Sequence, residues 1–226
     1  RGFFMELQKI LAAVDHTALK QTVTWPEIQA LCDEGMQFGV ASVCIPPCYV
    51  QKAAQYVQGK LKICTVVGFP NGYESTQAKC FETTQAVRQG ASEIDMVINL
   101  GLLRAGDDDG VLSDIRSVRV ASRGKILKVI VETCLLSWDE KIRVCDMVSR
   151  SGADFIKTST GFSTAGAMFD DIKLFKAHIA PHLKIKAAGG IRTLEQADRF
   201  LQLGASRIGS SAIVPLVRKR LAGTVR

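Results

Sequence analysis

The sequence lacks the features that mark membrane and secreted proteins. It contains no run of about 18 uninterrupted apolar residues, which a membrane-spanning helix requires. No small-residue cleavage site follows an apolar run near its start, as a secretory signal peptide would require. Low-complexity segments and a dividing linker are also missing. We therefore expect one cytoplasmic domain over residues 1–226, with no membrane partner.

The cysteines are not spaced as a metal site or a disulfide framework would be. The chain has seven, an odd number, scattered through apolar segments without a CxxC pair. The nearest pair, Cys44 and Cys48, has no matching second half, so zinc is not expected. Reduced and mostly buried thiols are typical of cytosolic proteins. The cysteines thus predict no zinc site, and we expect neither a metal nor another cofactor, as the family resemblance given below also implies.

Aromatic residues make up only 7% of the chain, which bears on the meaning of its net charge of +7. A basic chain raises the hypothesis of a non-enzymatic module that binds nucleic acid. Its basic residues, however, are interleaved with Asp and Glu, apart from "RKR" at 218–220, and no aromatic residues alternate with that cluster as a stacking platform. We interpret the cluster as a solvated terminus and expect no nucleic-acid partner. A positive field also favours phosphorylated metabolites.

A repeating rhythm runs through the whole length. Short β-branched runs alternate with amphipathic stretches of about 10 to 18 residues. Thr24, Ser137 and Thr193 are predicted to cap the starts of helices, and Gly90 to end one. The predicted strands are residues 10–15, 41–45, 62–68, 93–99, 126–132, 154–157, 183–188 and 206–209.

Eight strands, each followed by a helix, in about 220 residues predict a single (β/α)8 TIM barrel. The hydrophobic fraction of 47% is enough for a core of that size. A doubly wound open sheet is the alternative, but no GxGxxG motif follows the first strand. Residues 1–9 are expected to be an N-terminal extension, in which residues 1–4 precede a natural start at Met5.

Charged residues occupy strand positions where apolar residues are expected. Lys157 ends the sixth predicted strand, Lys186 lies at a similar level on the seventh, and Asp95 lies inside the fourth. Lys128 and Glu132 flank the fifth strand. Functional groups of such barrels gather at the C-terminal ends of the strands. Burying an unpaired charge is costly, so these groups are paired, neutralised or functional.

Two lysines facing one pocket disfavour protonation of both. A like charge and desolvation lower a lysine pKa from its usual value of about 10.4, and a neutral amine attacks carbonyl carbon. The combination of Asp95, Lys157 and Lys186 therefore predicts Schiff-base chemistry with a proton relay. Each residue alone has a structural alternative: Lys157 could extend its head to solvent, and Asp95 could form a structural salt bridge.

Two glycine-rich stretches follow the last two strands. "AAGGIR" (187–192) and "RIGSSA" (207–212) each lead into a helix. Glycines let backbone N–H groups approach an anion, and helix N-termini add favourable partial charge. The loops after strands seven and eight are the recurrent phosphate site of this barrel. The alternative is two ordinary tight turns.

Several segments resemble deoxyribose-phosphate aldolase. They are "DHTALK", "VVGFPNG", "EIDMVIN", "KVIVET", "GADFIKTSTGF", "KAAGGIRT" and "RIGSS", and the resemblance covers roughly residues 10–215. It implies a metal-free class I aldolase of the barrel fold. Such an enzyme reversibly cleaves 2-deoxy-D-ribose 5-phosphate to acetaldehyde and D-glyceraldehyde 3-phosphate. A homodimer or homotetramer is implied as well. Another Schiff-base lyase or isomerase of phosphorylated sugars on the same barrel is the alternative.

The resemblance also implies roles for individual residues. Lys157 would form the Schiff base, Asp95 and Lys186 would donate and accept protons, and Thr160 would help hold a relay water. The pocket would be lined in support by Asp15, Thr17 and Lys128. The phosphate would be held near Gly161, Gly189, Gly190, Ile191, Gly209 and Ser211.

The chain departs from the family pattern at three places. Ala212 stands where the family commonly has a second serine after Ser211, which would weaken the phosphate site. Pro46 and Pro47 in "CIPPC" replace the usual residues and would reshape the substrate mouth near Cys44. After "LAGTVR" we expect no C-terminal tail reaching into the site. None of these departures removes a proposed catalytic group.

Overall fold

Eight parallel strands form a closed barrel in which each strand pairs with its neighbour in sequence and β8 pairs with β1. The structure is a computed structural model and describes residues 2–223. It confirms the prediction of a (β/α)8 barrel, and the predicted strand positions agree closely from the second strand onward. The strands are β1 (Val14–Thr17), β2 (Ser42–Ile45), β3 (Ile63–Val67), β4 (Glu93–Val97), β5 (Ile126–Ile130), β6 (Phe155–Lys157), β7 (Lys184–Ala188) and β8 (Arg207–Ser210).

Helices surround the barrel and begin largely where the caps predict. Ser137 Oγ accepts from the backbone N–H of Glu140 at 3.2 Å, and Glu140 Oε2 accepts from the N–H of Ser137 at 2.7 Å. This reciprocal pairing satisfies two N–H groups that a helix start leaves open. The helices are α1 (Gly2–Ala12), α2 (Trp25–Phe38), α3 (Val50–Val57), α4 (Thr76–Arg88), α5 (Leu100–Arg104), α6 (Asp108–Ala121), α7 (Trp138–Arg150), α8 (Phe169–His178), α9 (Leu194–Gln202) and α10 (Ile213–Gly223).

The first predicted strand, residues 10–15, is wrong in position. Residues 10–12 end helix α1, and the strand begins at Val14. Leu7, Ile10 and Leu11 are all buried, at the three- and four-residue spacing of one helix face. The apolar residues of that helix face are followed almost directly by the apolar start of β1, so the end of the helix and the start of the strand look like one apolar strand in the sequence. Residues 2–9 of the predicted N-terminal extension therefore belong to helix α1, which contacts α9 and α10.

The apolar core lies between the strands and the helices, whereas the inside of the barrel is charged. Apolar side chains such as Ile94, Met96, Val129 and Ile156 are fully buried against the helical layer. Residues one position along on the same strands, among them Asp95 and Lys128, belong to the inward-facing set. No helix within residues 2–223 is long and apolar enough to cross a membrane.

Candidate active site

Lys157, Lys186 and Asp95 meet inside the barrel. Lys157 and Lys186 are register partners on the adjacent strands β6 and β7. Asp95 reaches them from β4, and its Oδ2 accepts from Lys157 Nζ at 2.8 Å and from Lys186 Nζ at 2.7 Å. The three side chains are between 0% and 4% exposed. One carboxylate oxygen thus lies between two buried amines.

The same carboxylate belongs to a closed ring of alternating charges, called the charge ring below. Asp95 Oδ1 accepts from Lys128 Nζ at 2.9 Å, and Lys128 pairs with Glu93 at 2.5 Å. On the other side, Lys186 pairs with Asp15 at 2.5 Å. Arg207 closes the ring, with Nη1 2.7 Å from Asp15 and 2.8 Å from Glu93. The members are Asp15, Glu93, Asp95, Lys128, Lys186 and Arg207, and Lys157 contacts the ring from outside at Asp95.

The ring governs the protonation of its members. Burial disfavours the charge of Asp95, but Lys128, Lys157 and Lys186 outweigh it and hold the pKa of Asp95 well below its usual range. Burial likewise opposes the charge of Lys186, yet Asp15 and Asp95 raise the pKa of Lys186. The expectation that two facing lysines lower a lysine pKa is therefore wrong for Lys186, because carboxylates lie beside it and between the two amines.

The residues predicted to support the site, Asp15, Thr17 and Lys128, lie in the charge ring or next to it. Asp15 and Lys128 are members of it, and Lys128 also lies 3.6 Å from Asp15 Oδ2. The Thr17 hydroxyl donates to the backbone carbonyl of Asp15 at 2.8 Å, a local contact at the end of β1 that does not involve the Asp15 carboxylate. A Cβ atom on Gly209 would lie 3.1 Å from Lys186 Cε and 2.9 Å from Ala188 Cβ. Glycine at this position therefore makes room for Lys186.

Thr160 contacts Glu132 instead of the central carboxylate. Thr160 Oγ1 donates to Glu132 Oε2 at 2.5 Å, and its backbone N–H donates to Oε1 at 3.2 Å. Glu132 is 3% exposed and adopts a left-handed conformation, with φ 54°, that is uncommon for a residue other than glycine. Both residues line a cavity at the mouth of the barrel together with Phe162 and Tyr73. The Glu132 carboxylate thus fixes the loop that follows Lys157.

Gly209 lies within β8, and the other predicted phosphate residues lie on the loops after β6, β7 and β8. Gly161, Gly189 and Gly190 have φ of 84°, 86° and 73°, values that glycine adopts readily. Ser210 Oγ donates to the carbonyl of Ile191 at 2.7 Å, so the ends of β7 and β8 are joined. Ser211, next along the chain, is exposed. The loops converge on the C-terminal face of the barrel, where an anion would meet backbone groups.

Gly166 was not recognised from the sequence. A Cβ atom there would lie 2.2 Å from the carbonyl oxygen of Gly189, and the next residue, Ala167, donates its N–H to that same carbonyl at 3.1 Å. The loop after β6 therefore packs directly against the loop after β7. Its signal in the sequence, one glycine within "STAGAM", is too weak to single it out.

Two buried thiols lie beside the ring. Cys64 Sγ is 3.2 Å from Asp95 Oδ1 and 3.3 Å from Lys128 Nζ, and Cys44 is its register partner on β2. Cys64 belongs to two groups of possible metal donors, one with Asp15 and Glu93 and one with Cys44 and Asp95. Lys128 Nζ lies within 3.6 Å of the three side chains of the first group, and within 3.3 Å of Cys64 and Asp95 in the second. The lysine ammonium therefore takes the place that a metal cation would need.

Glu93 and Arg207 are ring members that sequence reasoning missed. Each lies two residues before an inward-facing position, Glu93 before Asp95 and Arg207 before Gly209. Residues two apart on a strand share a face, so this spacing was the available signal. The sequence does not show that Glu93 and Arg207 pair with one another, because β4 and β8 are not neighbouring strands and face one another only across the closed barrel.

The likeness to known proteins agrees with this geometry. A family model described as DeoC/LacD family aldolase matches residues 9–212. Deoxyribose-phosphate aldolase of Streptococcus agalactiae serotype Ia is 56% identical over 216 residues, which cover 96% of this chain and 97% of the relative. That of Streptococcus pyogenes serotype M4 is 56% identical over 220 residues, covering 97% and 99%. The tetrameric deoxyribose phosphate aldolase from Aeropyrum pernix superposes with a TM-score of 0.86 at 29% identity, covering 92% of this chain and 89% of that one.

Proposed function

The chain belongs to the DeoC/LacD family of aldolases, and we propose that it reversibly cleaves 2-deoxy-D-ribose 5-phosphate to acetaldehyde and D-glyceraldehyde 3-phosphate. Lys157 is the amine that forms the Schiff base. The observation that carries the proposal is the single carboxylate oxygen of Asp95, which lies 2.8 Å from Lys157 Nζ and 2.7 Å from Lys186 Nζ. That arrangement provides a nucleophile, a counter-charge and a second amine for proton transfer at one point.

Charge balance supports the choice of Lys157. The charge ring has three carboxylates (Asp15, Glu93, Asp95) and three basic groups (Lys128, Lys186, Arg207), so it is neutral without Lys157. Within residues 2–223, Lys157 is the basic group in contact with the ring that adds an uncompensated charge. A neutral amine at this position leaves the six charges of the ring balanced. When the iminium forms, the same nitrogen is cationic again beside Asp95.

The reaction follows from these positions. The neutral amine of Lys157 adds to the aldehyde carbon C1, and Lys186 gives a proton to the departing hydroxyl, which leaves as water. The iminium accepts the electron pair as the C2–C3 bond breaks, and Lys186 takes the proton that the C3 hydroxyl loses. That proton returns to C2 of the enamine. Water then adds to the new iminium, Lys186 accepts a proton from it, and collapse of the carbinolamine frees acetaldehyde.

Asp95 keeps Lys186 in position through this cycle and stabilises each cationic nitrogen. Its Oδ2 contacts both amines, which supports the proposal that Asp95 and Lys186 together donate and accept protons beside Lys157. Positioned acid–base help of this kind is worth roughly 10²–10⁴-fold in rate. We assign Thr160 a role at the substrate mouth, where Glu132 holds it and where it would order a water.

The phosphate is held on the C-terminal face of the barrel in this proposal, by Gly161, Gly189, Gly190, Ile191, Gly209 and Ser211. The support is the convergence of three loops on the C-terminal face, two of which, after β6 and β7, contain left-handed glycines. Binding there is remote from the breaking bond, and it orients C1 toward Lys157. At the departure from the family pattern, Ala212 donates its backbone N–H to Ser210 Oγ at 3.0 Å, a contact that needs no side chain of its own, whereas the hydroxyl of the usual serine is missing.

Two further properties belong to the proposal. A cytoplasmic location is supported by the cysteines, all seven of which are free thiols. Assembly as a homodimer or homotetramer is supported by the tetrameric relative from Aeropyrum pernix. Light scattering during size-exclusion chromatography measures the oligomeric state directly, and a monomer at micromolar concentration would contradict the assembly.

The activity is tested by product identification. The purified protein is incubated with 2-deoxyribose 5-phosphate, and acetaldehyde and glyceraldehyde 3-phosphate are measured separately over time. We expect the two products in equal amounts, and the reverse reaction to rebuild the sugar phosphate from them. Consumption of the sugar phosphate without acetaldehyde would point to another lyase or isomerase reaction.

A further inference from the structure

Arg207 and Glu93 lie beneath the proposed catalytic groups, at the opposite end of the barrel from its mouth. Each is the first residue of its strand, β8 and β4. Glu93 is fully buried and Arg207 is 9% exposed. Replacing buried ion pairs with apolar residues is often neutral or stabilising, so stability alone does not explain these charges.

The two residues reach the catalytic groups by separate arms of the charge ring. In one arm, Arg207 Nη1 lies 2.7 Å from Asp15, and Asp15 lies 2.5 Å from Lys186. In the other arm, Glu93 lies 2.5 Å from Lys128, which donates to Asp95 at 2.9 Å. Lys186 in turn donates to Asp95 at 2.7 Å, so both arms end on Asp95, the carboxylate that contacts Lys157.

We propose that Glu93 and Arg207 are positioning residues that set, through the charge ring, the pH at which Lys157 attacks a carbonyl. The inference rests on the proposed Schiff-base function of Lys157. Neither residue touches that amine in the structure. Their effect is electrostatic: each fixes one unit of charge in a water-poor interior, where charges interact far more strongly than in bulk water.

Removing either charge unbalances the ring in a direction that can be stated beforehand. Without Glu93, three basic groups face two carboxylates, and the excess positive charge favours loss of the proton from Lys157. Without Arg207, three carboxylates face two basic groups, and the excess negative charge favours retention of that proton. The two residues contact one another at 2.8 Å, so a purely structural role would affect both variants alike.

Groups on the remaining strands do not change the sign of these effects. Ser42 on β2 donates to Asp15 Oδ1 at 2.6 Å and carries no charge. Burial raises the pKa of Cys64 on β3 well above its usual value, so this thiol stays neutral. The hydrogen bond from Cys64 lowers the pKa of Cys44 on β2. Cys44 is present in every variant, and a change in its charge would oppose the imposed change in the ring, which reduces the shifts without reversing their sign.

The test is the pH dependence of imine formation in the full-length protein. The rate of borohydride trapping with acetaldehyde is measured across pH for wild type, Glu93→Gln, Arg207→Met and the double variant. The trapping rate falls at low pH as Lys157 gains its proton, and this part of the profile is called the acidic limb. We expect the acidic limb to move to lower pH in Glu93→Gln and to higher pH in Arg207→Met, each by on the order of one pH unit. The double variant, whose ring is balanced again, should return to the wild-type limb.

The controls separate charge from damage to the fold. Asp114→Asn breaks another buried ion pair, in which Lys79 Nζ lies 2.6 Å from Asp114, and it should lower stability without moving the limb. Arg207→Lys keeps the charge and should also leave the limb in place. Shifts in the same direction for both single variants, or no shift in either, would overturn the proposal.

The experiment stays decisive if one variant does not fold, and it separates failure of the Schiff-base assignment from failure of the roles of Glu93 and Arg207. If Arg207→Met does not fold, the nearly isosteric Glu93→Gln carries the test, and an upward or absent shift of its limb refutes the proposal. Peptide mapping of the trapped wild type identifies the labelled lysine. A wild type labelled away from Lys157 contradicts the proposed function itself, whereas labelling of Lys157 without the opposed shifts contradicts only the roles of Glu93 and Arg207.

Discussion

Asp95→Asn removes one negative charge from the centre of the barrel and keeps the shape of the side chain. In the wild type, Oδ2 accepts from Lys157 and Lys186 at 2.8 and 2.7 Å, and Oδ1 accepts from Lys128 at 2.9 Å. Asparagine has a single acceptor oxygen, so in either orientation its NH2 group faces at least one lysine amine. Breaking a buried ion pair from one side costs about 3–5 kcal/mol of unfolding free energy.

That loss is large enough to measure and small enough to leave a folded protein. For a chain of this length, 1 kcal/mol corresponds to about 2–4 °C, so we expect the unfolding midpoint to fall by roughly 6–20 °C. Urea denaturation with linear extrapolation gives the unfolding free energy independently. A loss below about 1 kcal/mol would show that Asp95 is not the shared counter-charge of the three lysines.

The same comparison has a defined pH dependence. The lysines hold the folded-state pKa of Asp95 well below its usual range despite the opposing effect of burial. The stability that this provides is fully present above the unfolded-state pKa of about 3.9 and is lost as the pH falls toward the folded-state value. The difference between wild type and Asp95→Asn should therefore be constant from about pH 5 to 8 and shrink below about pH 4.

Asp114→Asn is the matched control for this prediction. Asp114 is also buried and accepts from Lys79 Nζ at 2.6 Å, and neither residue is a member of the charge ring. Its replacement should cost stability while kcat stays close to the wild-type value. Asp95→Asn should lower kcat by about two orders of magnitude or more in addition. Equal kcat losses in the two variants would contradict a role of Asp95 in the chemistry.

Three other variants test neighbouring parts of the account. Lys186→Leu should lower kcat by about two orders of magnitude or more while Lys157 can still be trapped as an imine, and near wild-type turnover would remove Lys186 from the proton relay. Gly190→Val, at φ 73°, should lower the preference for 2-deoxyribose 5-phosphate over 2-deoxyribose at least tenfold in kcat/KM; an unchanged ratio would show that the turn is only structural. Glu132→Gln turns an NH2 group toward one of the two donors of Thr160, so kcat/KM should fall by roughly tenfold, and unchanged kinetics would contradict its role in holding that loop.

The parts of the site that depend on strand order could be predicted from the sequence. Lys157 and Lys186 end up as register partners because consecutive strands of a barrel pair, which the rhythm of strands and helices predicted. Asp95 joins them because all inward-facing residues at one level share the interior. The charges at the ends of the predicted strands therefore indicated where the site would form, and their catalytic roles stay predictions.

Other parts depend on geometry that a linear pattern does not contain. The contact of Arg207 with Glu93 joins strands on opposite sides of the barrel, and its existence depends on strand stagger and side-chain conformation. Thr160 lies three residues after Lys157 yet turns to Glu132, because the left-handed backbone at Glu132 aims its carboxylate at the loop. The misplaced first strand has a local cause, since Ile10 and Leu11 continue a helical face into apolar residues of β1.

Reductive trapping tests the central claim most directly. The protein is treated with acetaldehyde and borohydride, digested, and its peptides are mapped by mass spectrometry. The account predicts a stable two-carbon group on the peptide that contains Lys157, and loss of trapping in Lys157→Leu. A two-carbon group on Lys186 or Lys128, with Lys157 unmodified, would contradict it.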